Sequence, residues 1–188
     1  WSYVAGLFYF FERASEYNLQ RFTFVLPGGG AALNLSPVSS FGGETTSKAA
    51  FGQVSYRPAA LAGKLELTGG LRYTQDDKEF FSSLFLQPGN ASSSNTSGLV
   101  SANYQFTDDV MGYARVSTGY KAGGFSPRAP FLAKFDPEKA TAYELGLKAE
   151  WFDRRLRTNL SLYQTDYKDL QVQQFQSGTG GSVGYTVN

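Results

Sequence analysis

Between Thr141 and Tyr167 the chain alternates so regularly that its faces and direction are set before anything else is considered. Thr141, Tyr143, Leu145, Leu147, Ala149 and Trp151 share one side of an extended segment, and Ala142, Glu144, Gly146, Lys148 and Glu150 share the other. After a turn at Phe152 to Arg155, Leu156, Thr158, Leu160 and Leu162 rebuild the apolar wall opposite Arg157, Asn159, Ser161 and Tyr163. Only a strand has this period of two. Tyr143 and Trp151 bracket the wall. The eight steps between them, at ~3.3 Å each and tilted by ~40°, lift the chain roughly 20 Å, close to the ~25 Å apolar band that aromatic girdles flank in an outer-membrane barrel. A soluble sheet with a core side and a wet side alternates in the same way.

Taken in order, the same pattern recurs. Trp1, Tyr3, Ala5, Leu7 and Tyr9 repeat the eight-residue aromatic spacing, which assigns their side to lipid although Val4, Phe8 and Phe10 opposite them are also apolar. A strand is expected from Lys48 to Tyr56, and its partner runs from Lys64 to Thr74. In that partner Leu65, Leu67, Leu71 and Tyr73 oppose Lys64, Glu66 and Arg72, charges that must meet water. Val100 to Phe106 and Val110 to Lys121 form the next pair, turning at Thr107 to Asp109. The organising hairpin follows, then a strand toward Val172 and Phe175 and a last start at Val183, Tyr185 and Val187.

The connections from Glu12 to Thr46, Gln75 to Ser97 and Ala122 to Glu138 read as long loops, whereas those near Pro58, Asp108 and Arg154 are short. Long and short connections alternate, as in outer-membrane barrels with tight periplasmic turns and long extracellular loops. On this topology an arginine at the lipid-facing Leu145 costs ~2–4 kcal/mol, and one at the inward Gly146 much less if the lumen has room. A lipocalin-like soluble barrel also meanders, but has little use for charged inner faces beside two-ended aromatic belts.

Composition narrows the chemistry. The chain has no histidine and no cysteine, which removes the commonest general base, thiolate nucleophiles and soft-metal ligands. No catalytic or metal site is expected. A net charge of +1 without a basic cluster argues against nucleic acid as a partner. Nowhere do the roughly 18 consecutive apolar residues of a membrane helix occur. Asp76, Asp77 and Glu79 lack calcium-loop spacing and read as a solvated loop. Inward Arg72, Arg115, Lys148, Glu66, Glu144 and Glu150 read as cross-strand ladders or as a ligand path.

Tyr104-Gln105-Phe106-Thr107-Asp108-Asp109-Val110-Met111, followed by Ser117-Thr118-Gly119-Tyr120-Lys121-Ala122-Gly123-Gly124-Phe125, resembles a TonB-dependent outer-membrane receptor. Further matches are Ala50-Phe51-Gly52-Gln53, Gly70-Leu71-Arg72-Tyr73-Thr74, Tyr143-Glu144-Leu145-Gly146-Leu147-Lys148 and Asp166-Tyr167-Lys168-Asp169-Leu170-Gln171-Val172. The resemblance implies an all-β, antiparallel transmembrane barrel of 22 strands. Residues 1–188 supply about eight of them, and the plug, the TonB-contacting box and the barrel's last strand are expected to lie elsewhere.

It also implies an outer-membrane location in contact with lipid, no enzymatic activity, and import of a ferric siderophore with energy from the TonB complex through the plug. Iron would enter only as part of the transported chelate, with no resident cofactor. Uptake of a carbohydrate or cobalamin, or a passive structural barrel, are the alternatives. At the extracellular end Tyr120, Lys121, Phe125 and Arg128 combine positive charge with flat apolar area, the chemistry that grips an anionic, conjugated chelate. Aromatic residues at that level also serve as the outer girdle.

Overall fold

The structure is a computed structural model that describes residues 1–25, 28, 32–83, 88–126, 133–178 and 181–188. Its strands in chain order are β1 (Ser2–Leu19), β2 (Phe22–Val25), β3 (Ala32–Leu35), β4 (Val38–Tyr56), β5 (Leu65–Ser82), β6 (Gly89–Thr107), β7 (Val110–Lys121), β8 (Gly124–Ser126), β9 (Ala133–Phe135), β10 (Glu138–Trp151), β11 (Leu156–Lys168), β12 (Val172–Gly178) and β13 (Gly181–Val187). Seven of these make one antiparallel sheet in the order β1-β4-β5-β6-β7-β10-β11. The pairs β2-β3, β8-β9 and β12-β13 are separate two-stranded ribbons at the end of the sheet away from the short turns.

Register confirms the faces. Leu145 lies opposite Leu162 and Ala114, Leu147 opposite Leu160 and Gly112, and Glu144 opposite Tyr163 and Arg115. Tyr3, Leu7 and Tyr9 of β1 share the outward side with Val54, Ala50 and Lys48 of β4. Leu7 is 87% exposed and Trp1 85%. Among the described residues the only buried apolar side chains are Phe41, Ala49, Ala91 and Ala149. The sheet is one layer thick, with 13257 Å² of accessible surface against roughly 8,900 Å² for a compact soluble chain of this mass. A soluble sheet must cover its apolar face, and nothing among the described residues covers this one, so that face belongs to lipid.

Strand tilt follows from the girdles. The register line through Tyr143 passes Val116, Val100, Gly69 and Val54 and meets β1 at Tyr3, six residues short of Tyr9. A slip of six residues over five strand steps gives about 40°, taking ~3.3 Å per residue and ~4.8 Å per strand, within the range of outer-membrane barrels. The upper girdle is therefore Tyr9, Tyr73 and Tyr143, and the lower one Trp1, Tyr56, Tyr104, Phe106 and Trp151. Trp1 stacks on Tyr56 with centroids 4.2 Å apart, and Tyr104 meets Phe106 edge-on at 5.0 Å.

Two of the three long connections are shorter than the sequence suggests. β1 continues to Leu19 and β4 begins at Val38, while β5 continues to Ser82 and β6 begins at Gly89. The polar run Asn90 to Ser97 is strand, because pairing needs only backbone groups and both faces above the girdle meet water. The continuous sheet holds seven of the about eight strands expected, and the segments at Val172 and Val183 pair with each other as a ribbon beside it.

Candidate functional site

On the inward face, side chains below the rim engage one another across the strands. Glu144 accepts a hydrogen bond from the Tyr113 hydroxyl at 2.5 Å, and Lys148 Nζ sits 5.5 Å from the Tyr113 ring centre. Arg72 lies over Phe8 at 5.0 Å and Phe51 at 5.8 Å, and its Nε donates to Thr74 Oγ1 at 3.0 Å. That cation explains the apolar inner side of β1: Phe8 is an inward platform for a guanidinium. Glu150 pairs with Arg157, and Glu66 with Arg57 and Asn103. These are cross-strand ladders, so they hold the wall together.

Higher up, the inward series of β5 continues as Asp76, Lys78 and Phe80, opposite Ser47, Thr45 and Gly43 of β4. Pairing between β6 and β7 ends at Leu99 and Ser117. Above that level the Tyr120 hydroxyl donates to the Asp76 carboxylate, although the register of β7 sets Tyr120 among the outward positions. The β8-β9 ribbon then brings Phe125 over Phe80, rings stacked with centroids 6.1 Å apart. Gly123 makes this corner possible, since a Cβ there would stand 2.5 Å from the Phe135 carbonyl oxygen.

Together these segments enclose a cavity of about 230 Å³, whose walls include Glu12, Gly43, Lys78, Phe80, Phe125 and Phe135. Lys78 is half-buried. Burial pushes its ammonium pKa below the usual lysine range; Asp76 opposes the shift and Lys121 adds to it. It stands five residues above Tyr73, outside the lipid-facing band.

Gln171 ties the rim at its base. Its Nε2 donates to the carbonyls of Ala122 (3.2 Å) and Asp136 (2.9 Å), and its backbone N–H to Glu138 Oε2 (2.9 Å). Asn188 Nδ2 donates to the same Asp136 carbonyl at 3.1 Å and to that of Asp169 at 2.6 Å.

Of the four rim residues singled out in the sequence, Tyr120, Lys121 and Phe125 converge on one corner, and Arg128 lies outside the described residues. Asp76, Lys78 and Phe80, read as part of a solvated loop, are strand residues facing that corner. Their period of two, continuing from Arg72 and Thr74, is the signal that could have found them. Among the described residues no group of carboxylates is arranged to hold a metal ion.

Comparison with known proteins decides what kind of barrel this is. The sequence model for the TonB dependent receptor-like β-barrel matches residues 1–188. The chain belongs to the TonB-dependent receptor β-barrel family. Its place is therefore the outer membrane of a Gram-negative bacterium. The Pesticin receptor of Yersinia pestis is 32% identical over 147 residues, covering 72% of this chain and 21% of that protein. The Pesticin receptor of Yersinia enterocolitica is 31% identical over the same length. The chain thus spans about a fifth of the length of the relatives it matches.

Among solved structures, the ferric yersiniabactin uptake receptor FyuA from Yersinia pestis aligns with a TM-score of 0.61 at 21% identity, covering 89% of this chain and 26% of that one. The copper transporter OprC aligns with a TM-score of 0.64 at 16% identity, covering 97% and 34%. At these identities the likeness is one of fold.

Proposed function

We propose that this chain is part of the wall of an outer-membrane receptor that imports a ferric siderophore with energy supplied through TonB. The rim corner carries the reading. Lys78 and Lys121 supply positive charge beside the stacked rings of Phe80 and Phe125 and the hydroxyl of Tyr120. An iron chelate with anionic groups and aromatic donors matches both features. Burial disfavours the Lys78 ammonium, and an anion placed beside it relieves that penalty. Tyr120, Lys121, Phe125 and Arg128 form the proposed ligand set, extended by Lys78 and Phe80.

Likeness in fold to the ferric yersiniabactin uptake receptor supports iron as the cargo. Iron travels as part of the chelate, without a resident cofactor, and the work is transport and not catalysis. Among the described residues both edge strands of the sheet, β1 and β11, have a partner on one side only. That open sheet, with the share of each relative that is matched, supports placing residues 1–188 in a larger barrel whose plug carries the contact with TonB.

The copper transporter's likeness in fold favours a second reading, in which the same wall serves another scarce ligand such as copper. Carbohydrate and cobalamin belong to this second class. Uptake of radioactive iron by cells with and without the gene, across a panel of siderophores, tests the proposal. Gene-dependent uptake that stops when the proton-motive force is collapsed, and that falls with Lys78→Ala or Phe125→Ala, is the expected result. Uptake of copper, a sugar or cobalamin without any iron chelate would keep the receptor and remove the siderophore.

A further inference from the structure

Lys139 of β10 and Lys168 of β11 are direct register partners on the outward face. Like charges opposite each other on one side of a sheet repel, and no carboxylate of the described residues lies within ion-pair distance of either. Both border a cavity of about 460 Å³ whose walls include Thr96, Thr118, Thr141 and Tyr143, with Asp166. All of these occupy outward positions. The cavity opens where β6 and β7 part, above the Leu99–Ser117 pair.

Height decides what the pair meets. Lys139 stands four residues above the girdle residue Tyr143, which at ~3.3 Å per residue and a tilt of ~40° is about 10 Å. Tyrosine girdles mark the edge of the hydrocarbon, and the polar layer of a bilayer extends roughly 5–7 Å beyond it. Lys168, one tilted strand step farther on, stands about 3 Å higher, and a lysine stem bends back across either difference. Both ammonium groups therefore reach the layer in which lipid phosphates lie, on the face that must contact lipid. Asp166 is the one carboxylate in the cavity, and Gln164 Nε2 donates to its Oδ1 at 3.0 Å. Two ammonium groups against one carboxylate leave an excess of positive charge.

We propose that Lys139 and Lys168 hold the phosphate group of an outer-leaflet lipid. The hydroxyls of Thr96, Thr141 and Tyr143 are further donors, and the acyl chains run down the outward face over Val116 and Leu145. A soluble phosphate is the poorer occupant, because it brings no hydrocarbon for the apolar surface immediately below.

The test uses the complete receptor in detergent, with bound lipid read by native mass spectrometry. The probes are lipid A, its dephosphorylated form and inorganic phosphate. The wild type should retain lipid A, and the double variant K139Q/K168Q should bind it on the order of 30-fold more weakly, at about one lysine's membrane electrostatic contribution each. The K139R/K168R variant should bind like the wild type. Heat-modifiable gel mobility reports whether each variant has folded, and the arginine pair keeps the test valid if the glutamine pair does not fold. Three results would overturn the assignment: equal retention by the glutamine pair, equal retention of dephosphorylated lipid, or displacement by millimolar inorganic phosphate.

Discussion

Replacing Gly146 with alanine sets the inner wall against itself. Gly146 is the register partner of Tyr113, whose ring lies across it. An added Cβ would stand 2.5 Å from the Tyr113 hydroxyl oxygen and closer still to Cε1 and Cζ. The ring has to swing away, which breaks its hydrogen bond to Glu144 and lifts it from Lys148. A hydrogen bond to a charged group contributes about 1.5–3 kcal/mol, whereas glycine to alanine in a strand returns about 0.5–1 kcal/mol. The net loss is about 1–2 kcal/mol. Arginine at Gly146 meets the same ring, so the lumen lacks the free room that would make it a mild change. Leu145→Arg, on the neighbouring 60%-exposed lipid face, should cost ~2–4 kcal/mol. Reversible urea unfolding of the complete receptor in lipid vesicles measures both. The decisive comparison is a double-mutant cycle: in a Tyr113→Ala background, Gly146→Ala should become neutral or stabilising by up to about 1 kcal/mol. An equal loss in both backgrounds would refute the account, because it would place the cost in the backbone and not in the ring.

Sidedness is tested with single cysteines at Asn90, exposed near the tip of the β5-β6 ribbon, and Ala60, exposed in the short turn between β4 and β5. An impermeant maleimide should label Asn90→Cys on intact cells and leave Ala60→Cys untouched; the reverse would invert the topology. The turn after β10 holds Phe152, Asp153 and Arg154 at φ 55, 54 and 67, a left-handed conformation that costs a non-glycine residue roughly 1–2 kcal/mol. Asp153→Gly should raise stability by part of that amount, offset by the glycine's extra freedom when unfolded, and a fall in the urea midpoint would count against relief of strain. Lys78 should make stability pH-dependent. Its folded pKa lies below 10.5, so the unfolded chain binds the extra proton between the two values and stability rises with pH across that window. Lys78→Gln should flatten the rise, and an unchanged profile would assign it to other groups.

How much of this was legible in the sequence depends on height above the membrane. Between the girdles one face is lipid and the other water, so chemistry alternates with the pleat and the faces of β1, β4, β5, β6, β7, β10 and β11 can be read residue by residue. Above Tyr73 and Tyr143 both faces meet water, the alternation loses its cause, and Gln75 to Ser97 reads as loop although the ladder from Gln75 and Ser94 to Phe80 and Gly89 is unbroken. Phe8 and Phe51 are a different case. The period of two puts both on the inward side, as found, but what they meet there, the side chain of Arg72 on β5, leaves no trace in the local sequence.

The rim site was legible only in halves. Tyr120, Lys121 and Phe125 stand close together in the sequence, and charge beside flat rings was enough to mark them. Their partners Asp76, Lys78 and Phe80 lie about forty residues earlier and are marked only by the period of two that continues from Arg72 and Thr74. What joins the halves is register. Six residues of slip across the sheet set the height at which β5, β6 and β7 end relative to one another, and pairing of β6 with β7 stops at Ser117 while β5 and β6 continue upward. That mismatch lets Tyr120 reach Asp76 and the β8-β9 ribbon fold over Phe80. The outward lysines at Lys139 and Lys168 flank the same parting of strands. One difference in strand length therefore builds both features, a charged aromatic corner toward the lumen and a basic notch toward the lipid.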